Sequence, residues 1–401
     1  MAFNIVRNRS LSEGLRIEKC GECGLSGVPF PVGGSGNKGI LIVIWRPTEK
    51  QLERRSWFAS DITALHCLTK AGVNLVDDTW VTAVLPCGDG TKHKKQENYE
   101  QCGTRLKDTI EKLKPNLIIT VGSKATGAVC RNYSQVAFPP NSSGGQYMGQ
   151  CIPLTQKWDC WLAPVFSDQM IHAFRKEPVQ NMAKDWLKKH IDTALDWLKE
   201  RPRPDVVFNP NVELLYDTKE IVAALEDAKT FKYAAFDYEC NCLSPFTKGA
   251  KVLCASVAMG DSEQEHRTVA FPFASEIVKQ AWCDFLKSSV KKIAHNLKFE
   301  ETWSSVYFGT PVNNWFADTC VMARVLDCQP GNSGLKFISF CLWGVKGYDA
   351  DVDAFIESEG KHGLNRLHEV PVDKLLTYCA FDSRLTFMCT QFYSRAMKLG
   401  F

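Results

Sequence analysis

Through the first half of the chain, short apolar runs alternate with segments whose apolar residues recur at helical spacing. Ile40 to Ile44, Trp80 to Leu85, Asn116 to Val121 and Trp161 to Phe166 read as buried strands, while about 56–71, about 98–113 and Val179 to Lys199 read as helices. Such alternation predicts an α/β domain with a mostly parallel sheet between helical layers. The segment Glu200-Arg-Pro-Arg-Pro-Asp205 cannot continue a helix, because each proline removes a backbone donor and clashes with the preceding turn. It divides the sequence into a domain over 1–200, a Pro-rich linker over 201–211 and a domain over 212–401. In the second domain Val212 to Tyr216, Tyr233 to Asp237, Val252 to Met259, His266 to Phe271 and Lys291 to His295 read as strands. From about Lys298 the pattern is helical, ending in a long helix from Val372 to Leu399.

Composition narrows the class. The 401 residues are 45% apolar and 23% charged, as in soluble globular proteins, and no apolar run approaches the roughly 18 residues of a membrane span. The N-terminus lacks the apolar stretch of a secretory signal, so a cytoplasmic location and no membrane partner are expected. Seventeen scattered cysteines suit buried thiols and metal ligands in a reducing compartment better than a disulfide framework. Residues 1–205 hold 28 Lys and Arg against 21 Asp and Glu, whereas residues 206–401 hold 20 against 24. The basic half suits contact with phosphates; the acidic half suits collecting cations.

Candidate chemistry concentrates in that acidic half. Asp237 and Glu239 end a predicted strand two residues apart, so both project from one face. A solvated strand end would tolerate them; buried, they repel unless a cation lies between them. Lys291-Lys-Ile-Ala-His-Asn-Leu-Lys-Phe-Glu300 runs from strand to helix, with Asn296 at the turn and Glu300 in the first helical turn. Tyr378 and Asp382 stand four apart on the last helix and share a face.

These three motifs in this order resemble the ribonuclease H-like DnaQ (DEDDy) 3′→5′ exonucleases, and most closely the proofreading domain of phage family A DNA polymerases. Ala317-Asp318-Thr319 and Gly334-Leu-Lys336 before two further helices add to the likeness. The resemblance implies that Asp237, Glu239, Glu300 and Asp382 hold two Mg²⁺ or Mn²⁺ ions. Tyr378 would orient the attacking water, and Asn296 and Lys298 would meet the DNA. Glu300 stands where the family usually has Asp, one methylene longer, and Glu301 points elsewhere on its helix. His295 is expected to pack beside the site rather than act as a base. The implied substrate is single-stranded DNA or a primer 3′ end. The implied partner is a family A DNA polymerase core, supplied in trans or as a missing C-terminal part.

In the first half, Cys20 and Cys23 form a CxxC, Cys87 follows a strand, and Cys102 comes 14 intervening residues later in a helix. This order resembles the iron–sulfur (family 4) uracil-DNA glycosylases, whose three-layer α/β domain holds a [4Fe-4S] cluster on four such thiolates. Zn²⁺ is the alternative occupant, and four unligated thiols a further one. The catalytic positions depart from that family. Trp45-Arg-Pro-Thr48 lacks the water-activating acid, Ala83 replaces the uracil-reading Asn, and Ser167 stands near the late His. Phe58 remains where a stacking aromatic belongs, and Lys92, Lys94 and Lys95 form a basic loop able to meet phosphates. The expectation is therefore a catalytically degenerate glycosylase-like domain followed by an exonuclease domain. Two alternatives stay open: a non-catalytic DNA-binding or assembly module of a replisome, and an active iron–sulfur glycosylase.

Overall fold

The computed structural model describes residues 31–87, 96–133, 144–204, 211–261, 264–326, 331–358, 360 and 363–399. The chain divides into two compact units: Met1–Val207 with Cys341–Gly344, and Phe208–Phe340 with Val345–Phe401. Among the described residues no helix is long and apolar enough to cross a membrane.

The first unit is built on a five-stranded sheet of β1 (Ile40–Ile44), β2 (Thr79–Ala83), β3 (Leu117–Val121), β4 (Ile152–Pro153) and β5 (Trp161–Val165), in the order β2-β1-β3-β5-β4. Only β4 is antiparallel to its neighbour. Every residue of β1, β3 and β5 is buried, which is why these strands read as continuous apolar runs rather than alternating ones. Ile40, Ile42 and Ile44 pack with Leu65 and Leu68 of the helix Thr63–Lys70 and with Ala183, Leu187 and Ile191 of the helix Glu177–Glu200. Arg105, in the helix Gln96–Leu113, donates to the Ala83 carbonyl at the end of β2. Thr120 of β3 is hydrogen bonded to Thr126 of the helix Ser123–Tyr133 at 2.8 Å.

The helix expected over 56–71 starts only at Thr63. Trp57 is held outside any helix, its carbonyl accepting from the side chain of Gln51 in the short helix Glu49–Arg54 at 2.7 Å and its indole N–H donating to Pro31 O. Tertiary capture of one large residue overrides the local helical spacing.

The second unit carries a six-stranded mixed sheet: β6 (Glu213–Leu214), β7 (Tyr233–Cys240), β8 (Val252–Asp261), β9 (Gln264–Pro272), β10 (Lys291–Ala294) and β11 (Trp315–Asp318), in the order β11-β10-β7-β8-β9-β6. β7, β8 and β9 are antiparallel neighbours, while β10 and β11 extend the sheet in parallel from β7. The two faces of β7 have different fates. Ala234, Phe236 and Tyr238 join a core with Trp282 and Phe285 of the helix Glu276–Lys287, where Phe236 meets Trp282 edge-on at 5.5 Å. Tyr233 and Ala235 face the other way, packing with Phe387 of the C-terminal helix Val372–Met397. Period-two alternation thus assigns Asp237 and Glu239 to the side covered by that helix.

The strand β11 contradicts the helical reading after Lys298. All four of its residues are half-buried, so no apolar alternation marks it.

Candidate active site

The C-terminal helix lies against the strands through Leu375, Leu376, Tyr378, Cys379 and Ala380, packed with Cys254 of β8 and Ala270 of β9. Ser256 of β8 fixes its depth by donating to the Cys379 carbonyl at 2.7 Å. That registration brings Tyr378 and Asp382 to the end of β7. Asp237, Glu239, Tyr378 and Asp382 line one cleft of about 410 Å³, with Leu243, Phe299, Asn365 and Leu367 among its other walls. One ligand atom each from Asp237, Glu239 and Cys379 lies within 4.8 Å of the others. Cys379 went unnoticed in the sequence; standing three residues before Asp382, it carried a helical-spacing signal.

Glu300 is not on the cleft surface. It sits 2% exposed in the first turn of the helix Lys298–Tyr307. The turn before this helix is set by Asp318, whose carboxylate accepts from the backbone N–H of Asn296 and Leu297 at 3.0 and 3.1 Å. The same carboxylate accepts from Cys320 N–H at 2.9 Å in the first turn of the helix Thr319–Leu326. Asn296 takes a left-handed conformation, φ 70°, which Asn tolerates better than most residues. Asn296 and Lys298 line an adjoining hollow of about 210 Å³ together with Leu243, Phe299 and Trp303. Glu301 is engaged elsewhere, accepting from Trp315 Nε1 and Ser305 Oγ at 2.8 Å. His295 is hydrogen bonded to Thr319 at 2.8 Å, and burial lowers its pKa to about 4.

Burial and mutual repulsion make the carboxylates hard to ionise. Asp237 is raised well above the ordinary carboxylate range by desolvation and then by Asp382. Glu239 and Glu300 are raised by desolvation and then by Asp237. Asp382 is pushed up to about 6 by burial, opposed by hydrogen bonds from Tyr348 and Tyr378 and by the charge of Lys336. Tyr378 is itself held protonated by burial and by Asp382. Among the described residues the buried Glu300 Oε2 has no hydrogen-bond partner. A buried, unsatisfied carboxylate oxygen behind clustered acids is costly unless a cation neutralises the group, and hard oxygen donors suit Mg²⁺ or Mn²⁺. The residues present fit a divalent metal.

Residues 212–395 match the family profile DNA_pol_A_exo1, described as a 3′-5′ exonuclease. This region is a 3′–5′ exonuclease domain. The exonuclease family uses two divalent metals, in keeping with the acidic cluster. No curated protein matches the chain. Solved structures similar to it include the catalytic core of RRP6 from Trypanosoma brucei, with 13% identity over 48% of this chain and 49% of that one and a TM-score of 0.37. Escherichia coli RNase D, an exoribonuclease, is 13% identical over 47% of this chain and 45% of its own, with a TM-score of 0.37. Brucella melitensis NrnC with bound Mg²⁺ is 21% identical over 43% of this chain and 76% of its own, with a TM-score of 0.31. The chain spans about half the length of the first two.

Outside the exonuclease domain, Cys87 is half-buried beyond the end of β2, and Cys102 is buried in the helix Gln96–Leu113. Cys20, Cys23, Lys92, Lys94 and Lys95 lie outside the described residues. Phe58 is half-buried and packs against the core of the first unit. Tyr348 was not legible in the sequence. It lies 34 residues before Asp382 and donates its hydroxyl to Asp382 Oδ1 at 2.6 Å.

Proposed function

We propose that the exonuclease domain removes nucleotides from DNA 3′ ends and serves as the proofreading part of a phage-type family A DNA polymerase, encoded with the polymerase core or separately from it. The observation that carries this reading is the convergence of Asp237, Glu239, Tyr378 and Asp382 on one cleft, in a region whose matching profile bears the name of a DNA polymerase exonuclease. Asp237, Glu239, Glu300 and Asp382 hold the cations, Mg²⁺ or Mn²⁺. Two such ions supply the positive charge that stabilises an attacking hydroxide and a leaving 3′-alkoxide. Tyr378, kept protonated, orients the attacking water. Leu243, 69% exposed at the junction of the cleft and the adjoining hollow, offers an apolar surface for the terminal bases, and Asn296 and Lys298 meet the strand behind them.

Residues 1–200 are read as a non-catalytic DNA- or partner-binding domain, with Cys20, Cys23, Cys87 and Cys102 holding a [4Fe-4S] cluster, or Zn²⁺ in its place, and with Phe58, Lys92, Lys94 and Lys95 meeting DNA. The residues at 45–48, 83 and 167 that depart from the glycosylase pattern support the non-catalytic role. The assembly is tested by adding a family A polymerase core and measuring processive correction of a mismatched primer. Correction faster than excision by the chain alone supports the proofreading role. An unchanged excision rate, with no complex formed, favours a stand-alone nuclease.

A further inference from the structure

Around Asp382 the structure holds more than the cleft's own residues. Tyr348 donates its hydroxyl to Asp382 Oδ1 at 2.6 Å. Its ring lies stacked on that of Tyr378, with centroids 5.8 Å apart and planes at 25°, and meets Phe381 edge-on at 6.0 Å. The segment bearing Tyr348 is tied down next door. Lys336 pairs with Asp349 at 2.6 Å and with Asp353 at 3.2 Å, and its ammonium sits 5.6 Å from the centre of the Tyr378 ring. One tyrosine therefore touches both an acid and the tyrosine assigned to the water, and its backbone is anchored by an ion-pair network.

We propose that Tyr348 is a positioning residue for the metal site: its hydroxyl holds one oxygen of Asp382, leaving the other for the cation, and its ring fixes the face of Tyr378. The proposal rests on the reading of Asp382 as a metal ligand. A carboxylate on a helix turns about two side-chain torsions, and a donor on Oδ1 removes most of that freedom before any ion arrives. Outer hydrogen bonds of this kind orient ligands, and removing one typically costs about 10- to 100-fold in metal affinity or activity. The Tyr348 hydroxyl donates to Asp382, so its effect is on the affinity for the ion rather than on the affinity for the nucleic acid.

The test is Mn²⁺ binding to the full chain, followed by electron paramagnetic resonance of the free ion, in wild type, Tyr348→Phe and Tyr348→Leu. The Phe variant keeps the stacked ring and loses only the hydroxyl; the Leu variant loses both. The expected result is a Mn²⁺ dissociation constant raised about 10- to 100-fold in Tyr348→Phe, and by at least as much in Tyr348→Leu. In nuclease assays the Phe variant should need correspondingly more metal for half-maximal rate, with the KM for an oligonucleotide unchanged at saturating metal. Wild-type affinity in the Phe variant with loss only in the Leu variant would mean that the ring acts by packing alone, and overturns the proposal. A raised KM with unchanged metal affinity overturns it as well, by moving the hydroxyl to the substrate. Should the wild type bind Mn²⁺ but cut no nucleic acid, the exonuclease reading falls while a weakened ion in Tyr348→Phe still supports the positioning role. A wild type that binds no Mn²⁺ overturns it.

Discussion

Removing the metal should make the exonuclease domain lose stability as the pH rises, and Asp382 sets the scale. Its folded pKa of about 6 stands above its ordinary value of 3.8 because burial penalises the charge. The folded domain therefore holds this proton more tightly than the unfolded chain does. The stability that the protonated carboxyl contributes is fully present below pH 3.8 and is lost as the pH rises through about 6. The difference between 3.8 and about 6 corresponds to roughly 3 kcal/mol, and in a domain of this size to a fall in melting temperature of about 6–12 °C. Asp237, Glu239 and Glu300 are shifted in the same direction. Thermal unfolding in EDTA and in saturating MgCl₂, for wild type and Asp382→Asn between about pH 4 and pH 8, measures this directly. The transition that Mg²⁺ moves reports the exonuclease domain. In EDTA the two proteins should melt together at the acid end, and at the alkaline end the Asn variant should be the more stable by about 3 kcal/mol. In MgCl₂ the wild type should regain the difference, since a ligand that binds only the folded state adds its binding free energy. Parallel pH profiles for the two proteins in EDTA would show that Asp382 does not carry the pH dependence.

Other outcomes follow from the same geometry. Asp237→Ala should fold and lose several powers of ten in nuclease rate, measured on an end-labelled oligonucleotide, because Asp237 would hold the divalent metal that supplies the positive charge for phosphodiester hydrolysis. Glu300→Asp should keep or raise the rate; a complete loss would show that the longer side chain is needed to reach from its buried position. Trp282→Ala should destabilise the domain by about 3–5 kcal/mol in urea unfolding, as a fully buried ring wedged between Phe236, Tyr238, Phe271 and Phe285 leaves a cavity that its neighbours cannot close. Freshly purified protein should be brown, with absorbance near about 400 nm from thiolate-bound iron, and Cys87→Ser or Cys102→Ser should lose the colour. Colourless protein carrying one zinc would favour the other occupant.

The legible parts of the site were those carried by local periodicity. Alternation along β7 was enough to place Asp237 and Glu239 on one face, and four-residue spacing to pair Tyr378 with Asp382. The sheet of the first unit was readable for a related reason: strands buried on both faces leave unbroken apolar runs. What periodicity cannot carry is a contact made across the fold. Tyr348 reaches Asp382 from a connecting segment with no spacing that ties it to the last helix. Asp318 was visible only as a helix opener, yet its two oxygens also shape the turn that presents Asn296 and Glu300. β11 escaped because four half-buried residues make no pattern, and the helix start at Thr63 was misplaced because Trp57 is held by Gln51 and Pro31, contacts that helical spacing does not show.

We propose that this acidic cleft hydrolyses nucleic acid from the 3′ end with divalent metal, and that DNA is its substrate. Single-stranded DNA and RNA of the same sequence, labelled at the 5′ end and incubated with Mg²⁺, test it in one gel. The expected result is a ladder shortening from the 3′ end, faster on DNA, absent in EDTA and absent in Asp382→Ala. No shortening of either strand by the wild type, or an undiminished ladder from the variant, would contradict it.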